Sequence, residues 1–379
     1  MNSPRVTRRT LLAGAGSAAV AALTGCESRT QASAPRDEAA LRRKVASLLV
    51  VGFRGQRVTA DDWIVKAIRG GLGGVILFDR DLETESVRNI GSPEQVTALV
   101  RSLKEASPDG RLIVSIDQEG GPTSRLNPSN GFPATRSEAE IGAANSASVT
   151  RDWARGLVAS LTRIGVNLNY APVVDLNVDP QSRAIGGLGR SFSADPEVVV
   201  RCASEEIEAH RAAKVKTSIK HFPGLGSAPG NTDFETVDVS ASWQERELEP
   251  FRRLVKEGRT DSVMVAHLRN TQLDPDHPVS LSRAVVTDLL RNKLGWQGPV
   301  VSDDLQAAAI TSRYDLTEAV TLAFQAGLDL LVFANQQVYD PRVVERTLDT
   351  VVDLVRSGRL TEERIDRSVA RVDTLRPRS

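Results

Sequence analysis

Val215–His221 reads Val-Lys-Thr-Ser-Ile-Lys-His, and Gly298–Asp303 reads Gly-Pro-Val-Val-Ser-Asp. Each stretch is a short, largely apolar strand that ends in ionisable residues. A buried charge is costly unless it is paired or used, so packing alone does not explain Lys220, His221 and Asp303 at strand ends. In a barrel of parallel strands, the carboxyl ends of the strands carry the active site. The two stretches therefore predict a parallel α/β fold and an enzyme.

Short apolar runs alternate along the chain with segments of helical periodicity, which favours a parallel sheet. The apolar runs are Leu48–Phe53, Gly74–Phe78, Leu112–Ile116, Leu168–Val174, Thr217–His221, Ser262–His267, Val300–Asp303 and Leu328–Phe333. The helical segments are Pro93–Glu105, Ser148–Ile164, Pro196–Ala213, Ser282–Leu294, Leu316–Ala326, Val343–Arg356 and Thr361–Leu375. Eight runs favour a (β/α)8 TIM-type barrel over an open doubly wound sheet. Because no Pro-, Ser- or Gly-rich linker divides them, residues 41–379 are predicted to form a single domain.

The first 26 residues have the pattern of an export signal. Arg8 and Arg9 precede a small-residue apolar stretch, Leu11–Leu23, that is too short to span a bilayer comfortably. Paired arginines at this place are typical of twin-arginine export. Leu23–Cys26 reads Leu-Thr-Gly-Cys and resembles a bacterial lipobox, which predicts lipidation of Cys26. The alternative is an ordinary secretory signal with an incidental cysteine. Residues 27–40 are predicted to be a polar tether.

Composition and charge exclude several classes of function. The 48 basic residues balance the 48 acidic ones, and no basic patch indicates a nucleic-acid partner. If Cys26 carries lipid, only Cys202 remains, so no intrachain disulfide is possible; Cys202 lies in a helical pattern and is predicted to be buried. The four histidines are scattered without metal-ligand spacing. The sequence therefore predicts no metal site.

Polar residues follow most of the apolar runs, and in a barrel they would converge on one rim. They are Asp117 and Glu119, Asp175, Lys220 and His221, His267, Asp303 and Asp304, and Asn335. Carboxylates accept hydrogen bonds from sugar hydroxyls, and Lys and Arg donate to them. Glycoside cleavage needs one carboxylate as nucleophile or base and a second group as acid. This ring of residues therefore indicates a saccharide ligand.

Four ordered motifs carry a family resemblance: Asp117–Gly121 (Asp-Gln-Glu-Gly-Gly), Gly189–Phe192 (Gly-Arg-Ser-Phe), Lys220–Gly224 (Lys-His-Phe-Pro-Gly) and Ser302–Leu305 (Ser-Asp-Asp-Leu). In order and approximate spacing, the chain resembles glycoside hydrolase family 3 over Leu41–Leu375. Its single-domain form is similar to bacterial β-N-acetylglucosaminidases that trim cell-wall muropeptides. The resemblance implies that Asp303 is the catalytic nucleophile and that no metal or organic cofactor is used. It also implies a sugar pocket lined by Asp117, Arg125, Arg190, Lys220, His221 and His267.

One loop departs from the family pattern. In the resembled enzymes, Lys-His-Phe-Pro-Gly leads to an Asp-Ser-His triplet whose histidine is the acid/base. Counted without a gap, that triplet falls on Asn231-Thr232-Asp233. Either Asp233 is the acid/base, or Glu235 or another loop residue is, or the chain binds sugar without efficient hydrolysis. We take Asp233 as the predicted acid/base because the nucleophile and the pocket residues are retained.

Each role has a structural competitor. Asp303 could cap a helix over Leu305–Ile310, and Lys220 and His221 could pair with acids as supports. Asp175 is predicted to act behind the ligand-contacting residues. The resulting hypothesis is an exported β-N-acetylhexosaminidase-like glycosidase, lipid-anchored on the outer face of the cell membrane. It would release terminal β-linked N-acetylglucosamine from cell-wall or other glycans by a retaining double displacement. The alternatives are a non-catalytic saccharide-binding lipoprotein and a glycoside phosphorylase.

Overall fold

The computed structural model describes residues 37–378. The strands are β1 Leu49–Gly52, β2 Gly74–Ile76, β3 Ile113–Ile116, β4 Gln118–Gly120, β5 Thr123–Ser124, β6 Leu168–Asn169, β7 Lys216–Phe222, β8 Ser262–Val265, β9 Val300–Asp304 and β10 Leu330–Phe333. The α-helices are α1 Glu38–Ala46, α2 Trp63–Arg69, α3 Pro93–Glu105, α4 Glu138–Ala144, α5 Ala147–Ile164, α6 Pro196–Ala212, α7 Glu249–Lys256, α8 Ala308–Thr311, α9 Leu316–Ala326, α10 Val343–Arg356 and α11 Glu362–Val372. None of the helices within this range is long and apolar enough to cross a membrane.

Eight of the strands within residues 37–378 close into a parallel barrel in the order β1, β2, β3, β6, β7, β8, β9 and β10, after which β10 pairs with β1. Nearly every residue of these strands is buried, because one strand face meets the interior of the barrel and the other meets the surrounding helices. Parallel strands covered on both faces read as continuous apolar runs, which is why the sequence locates them. The predicted (β/α)8 barrel is confirmed.

Local signals set the ends of several helices. At the start of α3, the Ser92 hydroxyl accepts a hydrogen bond from the Gln95 amide, the Gln95 side chain accepts one from the Ser92 amide, and Pro93 takes the first helical position. The carboxylate of Asp315 accepts from the Glu318 amide and begins α9. These helices pack outside the barrel, so the loops after the strands are free to form the site.

Three features differ from the sequence prediction. Asp37 caps α1, which begins at Glu38, so residues 38–40 of the predicted tether belong to the first helix. The predicted helix Ser282–Leu294 is a π-helix over Ala284–Lys293, a change in backbone winding that leaves its apolar face directed at the barrel. A small antiparallel hairpin, β4 with β5, follows β3 at the carboxyl end of the barrel. The export signal and Cys26 lie outside the described residues.

Candidate active site

A cavity of about 340 Å³ opens at the carboxyl ends of the barrel strands. This volume falls at the lower end of the range of about 300 to 1,000 Å³ that is usual for small-ligand sites. Of the eight residues predicted to be catalytic or to contact the sugar, six line it: Asp117, Arg125, Arg190, His221, Asp233 and Asp303. Two others, Lys220 and His267, are buried behind the surface of the cavity.

Asp303 is the fourth residue of β9, and its carboxylate faces the cavity. Burial acts to raise the pKa of Asp303, but the opposing electrostatic influence of His221, His267 and Lys220 outweighs burial and lowers it. The helix that follows, α8, begins after Ala307 without a side-chain cap. Asp303 therefore does not serve as a helix cap, and its environment holds it ionised.

Asp304, the next residue, has a structural position. Its Oδ1 accepts hydrogen bonds from the amides of Gln306 (3.1 Å) and Ala334 (2.8 Å), which ties the end of β9 to the loop after β10. Burial raises the pKa of Asp304 to about 7. The two adjacent acids are thus distinguished by their hydrogen bonds, because Asp304 accepts from the amide of Ala334 on the next strand's loop, whereas, among the described residues, Asp303 accepts only from the neighbouring Asp304 amide.

A buried ion network supports the floor of the cavity. The Lys220 ammonium lies 2.6 Å from Asp117 Oδ1 and 2.6 Å from Glu119 Oε1. Arg190 makes a bidentate pair with Glu119, at 2.7 and 2.8 Å. Burial acts to raise the pKa of Glu119, but Arg190 and Lys220 hold it far below its ordinary value. Paired charges of this kind fix the orientation of Asp117 and Arg190, which both reach the cavity.

His221 is oriented by Asp175, which is fully buried behind it as expected. His221 Nδ1 lies 2.6 Å from Asp175 Oδ2, and the Asp175 carboxylate also accepts hydrogen bonds from the His221 and Leu225 amides. Its Nε2 lies 3.3 Å from an Nη atom of Arg190. We assign the tautomer in which Nδ1–H donates to Asp175 and Nε2 accepts from Arg190, because Arg190 offers only donors.

Lys220 and His267, which were predicted to line the sugar pocket, lie behind the surface of the cavity. Lys220 is 2% exposed and binds Asp117 and Glu119, both of which line the cavity. His267 Nδ1 lies 2.7 Å from Ser280 Oγ, and its Nε2 lies 2.9 Å from the Asp304 carbonyl. Both ring nitrogens of His267 are therefore occupied by the protein, and this residue positions the end of β9.

The loop after β7 brings Asp233 into the same cavity as Asp303. Asn231 Oδ1 accepts from the Asp233 amide (2.9 Å), and the carbonyls of Thr232 and Asp233 accept from the Ala309 and Ala308 amides, each at 3.1 Å. These bonds join the loop to α8, directly after the strand that carries Asp303. Burial, and then the charge of Asp303, raise the pKa of Asp233 to about 6.

Glu235, the alternative acid/base, points elsewhere. It is exposed and pairs with Arg183 on the surface, with 2.5 Å between Nη2 and Oε1. Glu235 does not line the cavity. Of the two candidates on this loop, only Asp233 can reach a ligand bound beside Asp303.

Sequence reasoning missed two buried acids on helices, Glu138 of α4 and Glu206 of α6. Glu138 accepts from the Val173 amide at 3.1 Å, whereas neither side-chain oxygen of Glu206 has a hydrogen-bond partner in the described part of the chain. Burial, together with the charge of Glu119, raises the pKa of each acid well above its ordinary value. A signal existed for Glu206: it lies on the buried stripe of α6 between Cys202 and His210, at helical spacing.

Cys202, predicted to be buried, is fully buried and unpaired within residues 37–378.

The cavity combines an ionised carboxylate, Asp303, with a second carboxyl group, Asp233, that keeps its proton to a higher pH. Divergent pKa values in a pair of carboxyl groups identify a nucleophile and a general acid. Glycoside cleavage requires that combination.

Comparison with known proteins gives consistent findings. The family model for the glycosyl hydrolase family 3 N-terminal domain matches residues 40–375. A β-hexosaminidase of Tolumonas auensis is 35% identical over 273 residues, which cover 70% of this chain and 76% of that protein. The β-hexosaminidase LpqI of Mycobacterium tuberculosis is 34% identical over 348 residues, 88% of this chain and 82% of that protein.

Solved structures give the same result for the fold. A family 3 β-N-acetylglucosaminidase of Paenibacillus superposes with a TM-score of 0.79 at 34% identity, covering 88% of this chain and 62% of that one. A β-N-acetylhexosaminidase of Beutenbergia cavernae superposes with a TM-score of 0.78 at 30% identity, covering 90% of this chain and 98% of that one.

Proposed function

Because the chain belongs to glycoside hydrolase family 3 and is a glycosidase, we propose that it removes terminal β-linked N-acetylglucosamine from glycans by a retaining double displacement. The observation that carries the proposal is the presence of Asp303 and Asp233 in one cavity with pKa values shifted in opposite directions. The N-acetylated sugar is supported by the names of the similar β-hexosaminidases and β-N-acetylglucosaminidase.

In the first step of this mechanism, the Asp303 carboxylate attacks the anomeric carbon while the Asp233 carboxyl donates its proton to the leaving oxygen. The glycosidic C–O bond breaks and an ester to Asp303 forms. In the second step, the Asp233 carboxylate takes a proton from water, which attacks the same carbon and releases Asp303. Arg190 and Asp117, each fixed by the ion network, are placed to hold the sugar hydroxyls.

The direct test is hydrolysis of 4-nitrophenyl β-N-acetylglucosaminide and 4-nitrophenyl β-glucoside by the protein without residues 1–26. We expect the N-acetylated substrate to be turned over with the higher kcat/KM. A preference for the glucoside would refute the N-acetyl specificity and leave the glycosidase assignment intact. If turnover requires phosphate and yields a sugar 1-phosphate, the protein is a phosphorylase and not a hydrolase.

The pKa shifts predict an acidic pH optimum. Activity requires Asp303 ionised and Asp233 protonated, so kcat/KM should fall on the alkaline side as Asp233 loses its proton, by about tenfold per pH unit above about pH 6. On the acid side, activity should be lost as Asp303 takes up a proton. Because the pKa of Asp303 is lowered, this loss should occur at a pH below the usual pKa range of a carboxyl group. The check is a pH profile of kcat/KM. An activity that stays level to pH 9 would contradict the assignment of Asp233.

Export and lipid anchoring are the remaining parts of the proposal, and they rest on Arg8, Arg9 and the Leu23–Cys26 motif. A protein lipidated at Cys26 would lie on the outer face of the cell membrane, with access to peptidoglycan fragments. We expect Cys26→Ala to move the protein from the membrane pellet to the soluble fraction without changing kcat/KM. Cys202→Ala is the matched control and should remain in the pellet. Pelleting of the Cys26→Ala protein would refute lipidation at this residue.

A further inference from the structure

A second cavity of about 230 Å³ lies beside the catalytic cavity. Asp79 and Arg80, which follow β2, line both cavities and form their common border. The remaining lining residues of the second cavity are Glu85, Ser86, Val87, Ile90, Gly91, Ser129 and Asn130. A ligand that extends out of the catalytic cavity past Asp79 therefore enters a second, ready-made recess.

One wall of this recess, the segment 79–91, is held by the buried side chain of Arg88. Its guanidinium donates to the carbonyls of Phe53 (2.9 Å), Ala334 (2.9 Å) and Asn335 (2.8 Å). Those carbonyls belong to residues directly after β1 and β10, so the wall is fixed to the barrel itself. Such a wall presents a defined shape to a ligand before binding, which reduces the entropy cost of association.

The opposite wall is tied to the same border. Asn127 Nδ2 donates to Asp79 Oδ2 at 3.1 Å, and Asn127 Oδ1 accepts from the Ser129 amide at 3.0 Å. Ser129 and Asn130 thereby face the recess from a segment that begins just after Arg125. The two walls and the catalytic cavity form one connected surface.

The lining selects the chemistry of the ligand. Among the described residues, Arg80 pairs with Glu85 at 3.3 Å and Arg125 lies 4.0 Å from Asp79, so each arginine beside the recess already faces an acidic partner. Serine, asparagine and carboxylate groups hydrogen-bond hydroxyls and amides. Val87 adds an exposed apolar surface against which the C–H face of a sugar ring can pack. These features fit an uncharged sugar.

This inference rests on the proposed function. We propose that the second cavity binds the second sugar of the leaving group, which follows the sugar attached to the scissile bond. The enzyme then prefers oligosaccharides of at least three sugars to disaccharides. The experiment compares kcat/KM for the β-1,4-linked dimer and trimer of N-acetylglucosamine and for 4-nitrophenyl β-N-acetylglucosaminide. We expect the wild-type protein to favour the trimer over the dimer by about threefold or more, a difference within the reach of one further sugar contact.

Two substitutions fill the recess from opposite walls: Val87→Trp and Ser129→Trp. We expect at least one of them to bring the trimer-to-dimer ratio close to one while the aryl glycoside is hydrolysed as by wild type. Val338→Trp is the matched control, because Val338 is a similarly exposed rim valine (47%, against 54% for Val87) outside both cavities. A ratio of one in the wild-type protein, or a trimer advantage that persists in both recess variants, overturns the proposal.

A different outcome of the same experiment would refute the proposed function. If none of the three substrates is turned over, that function is refuted, and the recess is tested by affinity instead. Calorimetric titration of Asp303→Asn with dimer and trimer should show tighter binding of the trimer, and Val87→Trp or Ser129→Trp in the same background should remove the difference. Equal affinities for dimer and trimer overturn the proposal.

Discussion

Replacement of Asp303 by Asn should lower kcat/KM for 4-nitrophenyl β-N-acetylglucosaminide by about 10⁴- to 10⁶-fold, the range seen when a catalytic nucleophile is removed. An amide of the same shape cannot form the glycosyl ester, because it lacks the negative charge and a free electron pair of comparable basicity. The cavity keeps its shape, so sugar affinity should change by less than about tenfold. Steady-state kinetics and calorimetric titration with N-acetylglucosamine measure the two quantities.

Asp304→Asn is the matched control for this prediction. The amide oxygen of an asparagine can still accept from the Gln306 and Ala334 amides, so the link between β9 and the loop after β10 is retained. We expect a far smaller loss of activity in this variant. If Asp304→Asn is inactive and Asp303→Asn retains wild-type turnover, the two adjacent acids have been assigned in the wrong order.

Asp233→Ala should produce the second-largest effect, and its size should depend on the leaving group. A poor leaving group such as a sugar hydroxyl needs a proton as the bond breaks, so we expect a loss of about 10²- to 10⁴-fold for the trimer of N-acetylglucosamine. A dinitrophenyl group departs without protonation, so formation of the glycosyl ester should be slowed little. Pre-steady-state release of dinitrophenol measures that step separately from later hydrolysis.

Glu235→Ala is the control on the same loop. Its carboxylate pairs with Arg183 at the surface, and its loss should change kcat/KM by less than about threefold for either substrate. Equal slowing of good and poor leaving groups in Asp233→Ala would show that Asp233 acts on something other than the leaving oxygen. A larger effect from Glu235→Ala than from Asp233→Ala would reverse the choice between them.

The barrel could be predicted because its strands are continuous apolar runs, and helices such as α3, α9 and α10 because their ends carry caps or their apolar periodicity is strong. The predicted tether runs three residues too far, since Glu38 and the two alanines after it resemble a tether in composition although Asp37 caps them as a helix. The π-winding of Ala284–Lys293 left no mark in the sequence, because it depends on which carbonyl each amide reaches.

For the site, residue type and strand position predicted that Asp117, His221 and Asp303 meet at one cavity, and the family resemblance predicted Arg190 there. The direction in which each side chain points could not be predicted from the sequence. A strand residue can face the cavity or the layer behind it, and Lys220 and His267 turned out to have partners that draw them inward. The proximity of Glu206 to Glu119 could not be foreseen either, because the two acids come from segments far apart in the chain.

The hydrogen bonds that hold Thr232 and Asp233 against α8 use backbone atoms on both sides, and Asn231 binds the backbone amide of residue 233. None of them depends on the side chain at position 233, so any residue other than proline could form them. The position of the proposed proton donor therefore does not depend on which side chain residue 233 carries. A single codon change at this position could exchange an aspartic acid for a histidine and reset the working pH of the enzyme, with no rebuilding of the loop. Divergence within a lineage of such enzymes could adapt them to acidic or neutral surroundings by that route.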